Sequence, residues 1–341
     1  TQSAAQGVVY YLRISSKFTP HRGFSPLFAM STDFASVTPY QPSHLFESCR
    51  VTLRGLDHHL LVWGDMTAVT PEQPLLVMVH GWMDVAASFQ FMVDALRAQP
   101  EWGQRPIVAI DWRGFGLTAA PGGDCYFFAD YLADLDALID TISPDSPVDL
   151  LGHSMGGNVV MLYAAARGHR LRRLVNLEGF GLPASSADEA PDRYVKWLDE
   201  LKTPARLKDY SSVQGVAQRL RDNNPLIQPE LALWLAHHWA REEYGRWVIN
   251  ADPAHKRPQP FLYRVEEIRA FLQRIPVPVL FVEGAQTLYF MLFNGKYSRD
   301  EFLERMKLVP DFRMETIEAA GHMLHHDQPV ELAQHLARFL S

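Results

Sequence analysis

The chain has 341 residues and a formal net charge of −7, with acids and bases intermixed rather than blocked, which argues against a nucleic-acid or anionic-membrane surface and for small-molecule chemistry. Two cysteines, Cys49 and Cys125, are too few for a disulfide framework or a metal knuckle, so a reducing cytoplasm is the expected setting. No stretch approaches the ~18 apolar residues of a membrane span, and no basic-then-apolar leader opens the chain.

Residues 1–45 show little regular pattern, and the chain opens on Thr1 while the candidate initiator Met30 comes later, so the first 29 residues are expected to be upstream or non-native sequence. From about residue 47 the pattern is regular. Arg50–Leu53 and His59–Trp63 read as paired antiparallel strands around a turn at Gly55 to Asp57. Three short apolar runs follow at βα spacing, Leu75–Val79, Ile107–Ile110 and Val148–Leu151, each separated by a helix-length stretch; Leu171–Leu177, Val277–Val282 and Phe312–Ile317 continue the series. Val330–Leu340 reads as a closing amphipathic helix. The expected fold is an α/β, doubly wound, mostly parallel sheet.

Between residues 183 and 275 the strand rhythm stops and helical patterns take over in Arg193–Leu201, Val213–Leu220 and Glu230–Arg241. This predicts a helical cap inserted after the sixth strand, on a core of residues 46–182 and 276–341. The cap aromatics Trp197, Trp234, Trp239, Tyr244 and Trp247 would either line a substrate pocket or pack the cap onto the core.

Gly152-His153-Ser154-Met155-Gly156 sits where the Val148 strand turns into a helix. A serine framed this way is a nucleophile elbow: a Cβ at Gly152 or Gly156 would collide with backbone, and the helix N-terminus favours developing negative charge. The base would be His322, because Ala320-Gly321-His322-Met323 follows the last strand and precedes the closing helix; His325 and His326 are expected at the surface or behind the site. His80-Gly81-Trp82 ends the Leu75 strand, so the backbone N–H groups of Trp82 and Met155 would form the oxyanion hole, with His80 bracing the loop and Asp84 capping the next helix. Asp111 to Gly116 reads as a loop organised by an Asp111–Arg113 interaction. His58 and His59, adjacent on a strand, point to opposite faces and make a poor metal pair.

The motifs His80-Gly81, Asp111-x-Arg113-Gly114-x-Gly116, Gly152-x-Ser154-x-Gly156 and Gly321-His322, in this order, resemble those of the α/β-hydrolase superfamily over residues ~47–341 less the cap. Within it, the segments around Trp82 and Ser154 resemble the serine-hydrolase-like branch with kraken-type proteins. Members usually carry an Asp a few residues past the glycine of the strand before the last. Here Gly284-Ala285-Gln286-Thr287 offers none. The resemblance instead implies the alternative acid position at the end of the sixth strand, where Glu178 stands; Glu283 and Asp311 are rivals, and Glu178 would otherwise be a loop carboxylate paired with a cap arginine.

These residues imply a serine hydrolase of the carboxylesterase type: an acyl-enzyme on Ser154, His322 as base, Glu178 as acid, no cofactor and no metal, and a small, apolar ester substrate, lactones and thioesters being variants. A C–C bond hydrolase or an amidase would use the same apparatus, and a non-catalytic binding module would explain the missing Asp. The apolar run Leu288 to Phe293 would form either an acyl-side wall or a core helix.

Overall fold

The computed structural model describes residues 34–100 and 102–341, so the expectation about residues 1–29 falls outside the described residues. The described part of the N-terminal stretch is largely irregular. It is nevertheless tied down: the Tyr40 hydroxyl and the backbone N–H groups of Ser43 and His44 all donate to the Asp94 carboxylate.

Strands β1 (Glu47–Leu53) and β2 (Leu56–Trp63) pair antiparallel around a tight turn in which Arg54 and Gly55 both take positive φ, at 51° and 78°. Such a turn matches the twist of the strands it joins. The alternating units β3 (Leu76–Val79), α1 (Gln90–Arg97), β4 (Ile107–Ile110), α2 (Phe128–Ile142), β5 (Val148–His153), α3 (Met155–Arg167) and β6 (Leu171–Leu177) follow. Between β6 and the next core strand lie α4 (Ala190–Leu201), β7 (Asp209–Tyr210), α5 (Val213–Asn223), α6 (Pro229–Trp239), β8 (Ala240–Glu243), β9 (Arg246–Ile249) and α7 (Val265–Leu272). The chain closes with β10 (Val279–Gly284), α8 (Arg299–Met306), β11 (Phe312–Ile317), α9 (Leu324–Asp327) and α10 (Pro329–Leu340).

The eight core strands form one sheet in the order β1-β2-β4-β3-β5-β6-β10-β11, parallel from β4 to β11, with β2 antiparallel to both of its neighbours. Every residue of β3, β4 and β5 is buried. Successive residues alternate between two apolar layers: Leu76 and Met78 join the layer built with α1 and α10, whereas Val77 and Val79 join the one built with α2 and α3. β4 lies on one side of β3 and β5 on the other, so the strand order reverses at β3. The crevice outside the carboxyl ends of β3 and β5 is where such sheets bind ligands.

The segment between β6 and β10 is not wholly helical, contrary to the helical reading. Besides its helices it holds a three-stranded antiparallel sheet, in the order β7-β9-β8, which the helical reading missed. The helix expected over Glu230–Arg241 ends at Trp239, because Ala240 and Arg241 pair with Ile249 and Val248 across a two-residue turn with Tyr244 at φ 49° and Gly245 at 73°. No helix among the described residues is long and apolar enough to cross a membrane.

Candidate active site

Ser154 sits between β5 and α3 with φ 52° and ψ −112°, a conformation L-residues rarely adopt, and its N–H donates to Leu177 O at the end of β6 (2.8 Å). The framing glycines make this turn possible. A Cβ on Gly152 would stand 2.3 Å from Gly156 O, and one on Gly156 would stand 2.5 Å from Val79 O and 2.7 Å from His80 O. Backbone atoms cannot yield as a side-chain end can, so the turn is locked by close packing of α3 onto β3.

The Oγ of Ser154 stands 2.9 Å from His322 Nε2, and His322 Nδ1 stands 3.0 Å from Glu178 Oε2. Glu178 follows β6 in a positive-φ turn (57°) and is fully buried. Its carboxylate accepts the Gly284 N–H on Oε1 and the Thr287 hydroxyl on Oε2, both at 2.7 Å. Thr287, in the stretch where the resemblance led one to look for an Asp, thus donates to the Glu178 carboxylate instead. The rivals are elsewhere: Glu283 forms a bidentate pair with Arg299 (2.6 and 2.9 Å) and accepts from Thr316, and Asp311 lies 3.7 Å from Arg313. Glu178 pairs with no cap arginine.

Trp82 and Met155 flank this trio. Met155 opens α3, where the first N–H groups have no partner within the helix, and Gly81 passes so close that a Cβ there would lie 3.2 Å from Ser154 Cβ. His80 braces the loop as expected, with Nδ1 donating to Gly81 O (2.7 Å) and Nε2 accepting the Trp112 N–H (3.0 Å). The cap takes part as well: Trp239 Nε1 donates to Met83 O (2.8 Å).

Of the two places expected for His325 and His326, the structure gives the one behind the site: both are buried, His325 beside His153, and Ser88 Oγ stands 3.0 and 2.6 Å from their Nε2 atoms and donates to Asp84 (2.8 Å). Two expectations are corrected. Asp84 thus receives a side-chain hydroxyl, and the N-cap of the following turn is Val85, without a side-chain bond. Asp111 does not pair with Arg113; it bonds His59 and the Ala86 and Leu117 N–H groups, whereas Arg113 forms a bidentate pair with Asp134 (2.6 Å each). His58 faces Asp134 at 3.3 Å, away from His59 and its Asp111 contact, in keeping with strand alternation.

Among the described residues, Asp84, His325 and His326 are the set whose donor atoms approach closely enough to hold a cation, all within 4.8 Å of one another. The Ser88 hydroxyl occupies the space between them and hydrogen-bonds all three. Burial pushes the His326 imidazole down to about 3, so it is neutral there. His153 is likewise held well below the ordinary histidine range by burial and by its imidazole neighbours; its Nε2 donates to the backbone O of His322 (2.8 Å) and so ties the His322 loop to the serine turn.

A cavity of about 420 Å³ opens between core and cap. Trp82, Met155 and Phe293 carry it up to the trio, although neither Ser154 nor His322 is among its lining residues. None of the four cap tryptophans and the tyrosine singled out in the sequence lines it. Trp234 instead packs on Phe91 and His238, and Trp247 on His237. Leu292 and Phe293 of the Leu288 run do line it, and the Tyr289 ring stacks on His322. Much of the far wall is the segment 255–264, which carries no periodic signal in the sequence.

The model of the alpha/beta hydrolase family matches residues 76–335. A serine hydrolase-like protein of Dictyostelium discoideum is 24% identical over 297 residues, covering 84% of this chain and 79% of its own. An sn-1-specific diacylglycerol lipase of Xenopus laevis is 24% identical over 271 residues, 78% of this chain and 80% of its own. Among solved structures, the thioesterase domain from the curacin biosynthetic pathway superposes with a TM-score of 0.70 at 23% identity, covering 85% of this chain and 98% of that one.

Proposed function

Since this chain belongs to the alpha/beta hydrolase family, we propose that it is a serine hydrolase of carboxylic esters, with Ser154 as nucleophile, His322 as base and Glu178 as acid, and residues 183–275 as the cap over the site. The observation that carries this reading is the unbroken contact chain from Ser154 Oγ through His322 to Glu178, at 2.9 and 3.0 Å. With Nδ1 protonated toward Glu178, His322 presents the Nε2 lone pair to the serine hydroxyl.

In this mechanism His322 takes the Ser154 proton as Oγ bonds to the ester carbonyl carbon. The carbonyl π electrons move to oxygen, where the N–H groups of Trp82 and Met155 receive the charge. The tetrahedral adduct collapses by breaking the C–O bond, and His322 returns the proton to the leaving alkoxide. Water then attacks the acyl-enzyme by the same route and frees the acid. The cycle uses side chains, backbone and water. A serine attacking alkyl carbon would stop at an ether, which is why carbonyl chemistry is the fit. The Xenopus relative, named for diacylglycerol, supports an ester.

Hydrolysis of p-nitrophenyl esters of increasing acyl length tests the reading. Ser154→Ala should abolish turnover, Glu178→Gln should lower kcat by roughly 10³- to 10⁴-fold, and Glu283→Gln should leave kcat within about tenfold. Full activity in Glu178→Gln would move the acid elsewhere. No turnover by the wild type, with Ser154 also unreactive toward a fluorophosphonate, would sink the enzyme reading.

A further inference from the structure

The cavity beside the site has a charge opposite to that of the protein. The chain carries −7 overall, yet six of the cavity-lining residues are Lys or Arg and two are Glu. Glu189 closes a capping box on Ser186 and attracts Arg193 from beyond salt-bridge distance, and Glu267 lies 3.8 Å from Arg264. Arg193, half-buried on the cap helix α4, makes one hydrogen bond, from Nε to Gln259 O (2.7 Å), and no carboxylate lies within salt-bridge distance of it among the described residues. From the core side, α8 contributes Arg305, which is 3% exposed. Its guanidinium lies 4.4 Å over the Tyr297 ring, donates to Leu182 O and pairs with Glu301, and its Nε has no hydrogen-bond partner. The same cavity is also lined by the apolar side chains of Phe128, Met161, Leu162, Phe180 and Phe293.

A half-buried guanidinium with open N–H groups has lost hydration that Glu189, beyond salt-bridge distance, does not fully replace, and a ligand anion in the cavity would restore it. An apolar lining with a few converging polar groups is the usual form of a small-molecule site. Resting on the esterase reading, we propose that Arg193, seconded by Arg305, forms an anion subsite, and that the substrates are esters whose apolar body ends in a carboxylate or a phosphate. Arg193 sets specificity and takes no part in bond making.

The test compares p-nitrophenyl esters of octanoic acid, of one end of octanedioic acid and of 7-phosphonoheptanoic acid. The wild type should prefer an anionic ester by roughly 10- to 100-fold in kcat/KM. The better of the two names the head group. Arg193→Gln should erase the preference through KM at unchanged kcat, and Arg193→Lys should keep part of it. Equal turnover of the neutral ester, or an undiminished preference in Arg193→Gln, overturns the proposal. If no ester is cleaved the esterase reading fails, and the subsite stands or falls on binding: octanedioate or 7-phosphonoheptanoate must raise the wild-type Tm and not that of Arg193→Gln.

Discussion

The loops at the strand ends and the cap above them are held in different ways. Around Ser154 the constraint is backbone against backbone: Gly156 leaves no room for a methyl group between α3 and the carbonyls of Val79 and His80. In the cap, side chains reach for carbonyls and rings, as in Trp239 to Met83 O, Arg193 to Gln259 O and His255 between two aromatic rings. Backbone contacts leave the Ser154 turn little room to shift. Side-chain contacts leave a wall that substitution can reshape without disturbing the chemistry below it.

The same substitution should therefore have opposite signs in the two regions. Gly156→Ala places a Cβ against fixed carbonyls and is expected to cost about 3 kcal/mol, with activity lost. Gly215→Ala, on α5 of the cap, meets Tyr210 at 3.5 Å and Ser212 Oγ at 3.7 Å, both ordinary contacts, and should stabilise by about 0.5–1 kcal/mol. Urea unfolding of both variants checks the pair; a neutral Gly156→Ala would break the contrast. Thr287→Val asks whether the acid needs its side-chain donor as well as the Gly284 N–H. The expected result is a roughly tenfold lower kcat at unchanged KM, with fluorophosphonate labelling of Ser154 slowed alike. Unchanged kcat would leave Thr287 a scaffold residue only.

The same division explains what was legible in the sequence. The serine turn could be read because the steric demand falls on glycine at fixed spacing, whereas it is the resemblance that points to Glu178, by implying an alternative acid position at the end of the sixth strand where the usual Asp is absent. Thr287 could not, since a threonine advertises nothing until the fold sets it 2.7 Å from a carboxylate 109 positions away. For His325 and His326 the sequence leaves surface and interior open, because α9 spans four residues, too few to show a buried face. Asp111 and Arg113 are near in sequence, but Arg113 reaches Asp134 on α2 instead, a contact that only the packed helix creates. Arg193 lay within a helical pattern, with nothing local to mark that it faces a cavity.

The smallest expected effect concerns the seam between the two regions. His255, from the cap, lies flat between Phe115 and Tyr126 of the core, with ring centroids 3.6 and 3.5 Å away, and its Nε2 donates to Arg113 O at 3.2 Å. Burial pushes its pKa down to about 3, against the help of the Arg113 and Gly114 carbonyls, from an ordinary value near 6.5. Between those two pH values the unfolded chain binds a proton that the folded one refuses, so stability rises with pH across that window and is lost on acidification from 6.5 downward. One such imidazole adds at most about 1.4 kcal/mol per pH unit to the slope. His255→Gln should flatten the fall in Tm between pH 6.5 and 4.5. A slope unchanged in the variant would place the acid sensitivity in other buried imidazoles, such as His326 in the core or His238 in the cap, pushed down to about 3 and about 4. The seam would then be held by its aromatic packing alone, indifferent to the charge state of the ring it encloses.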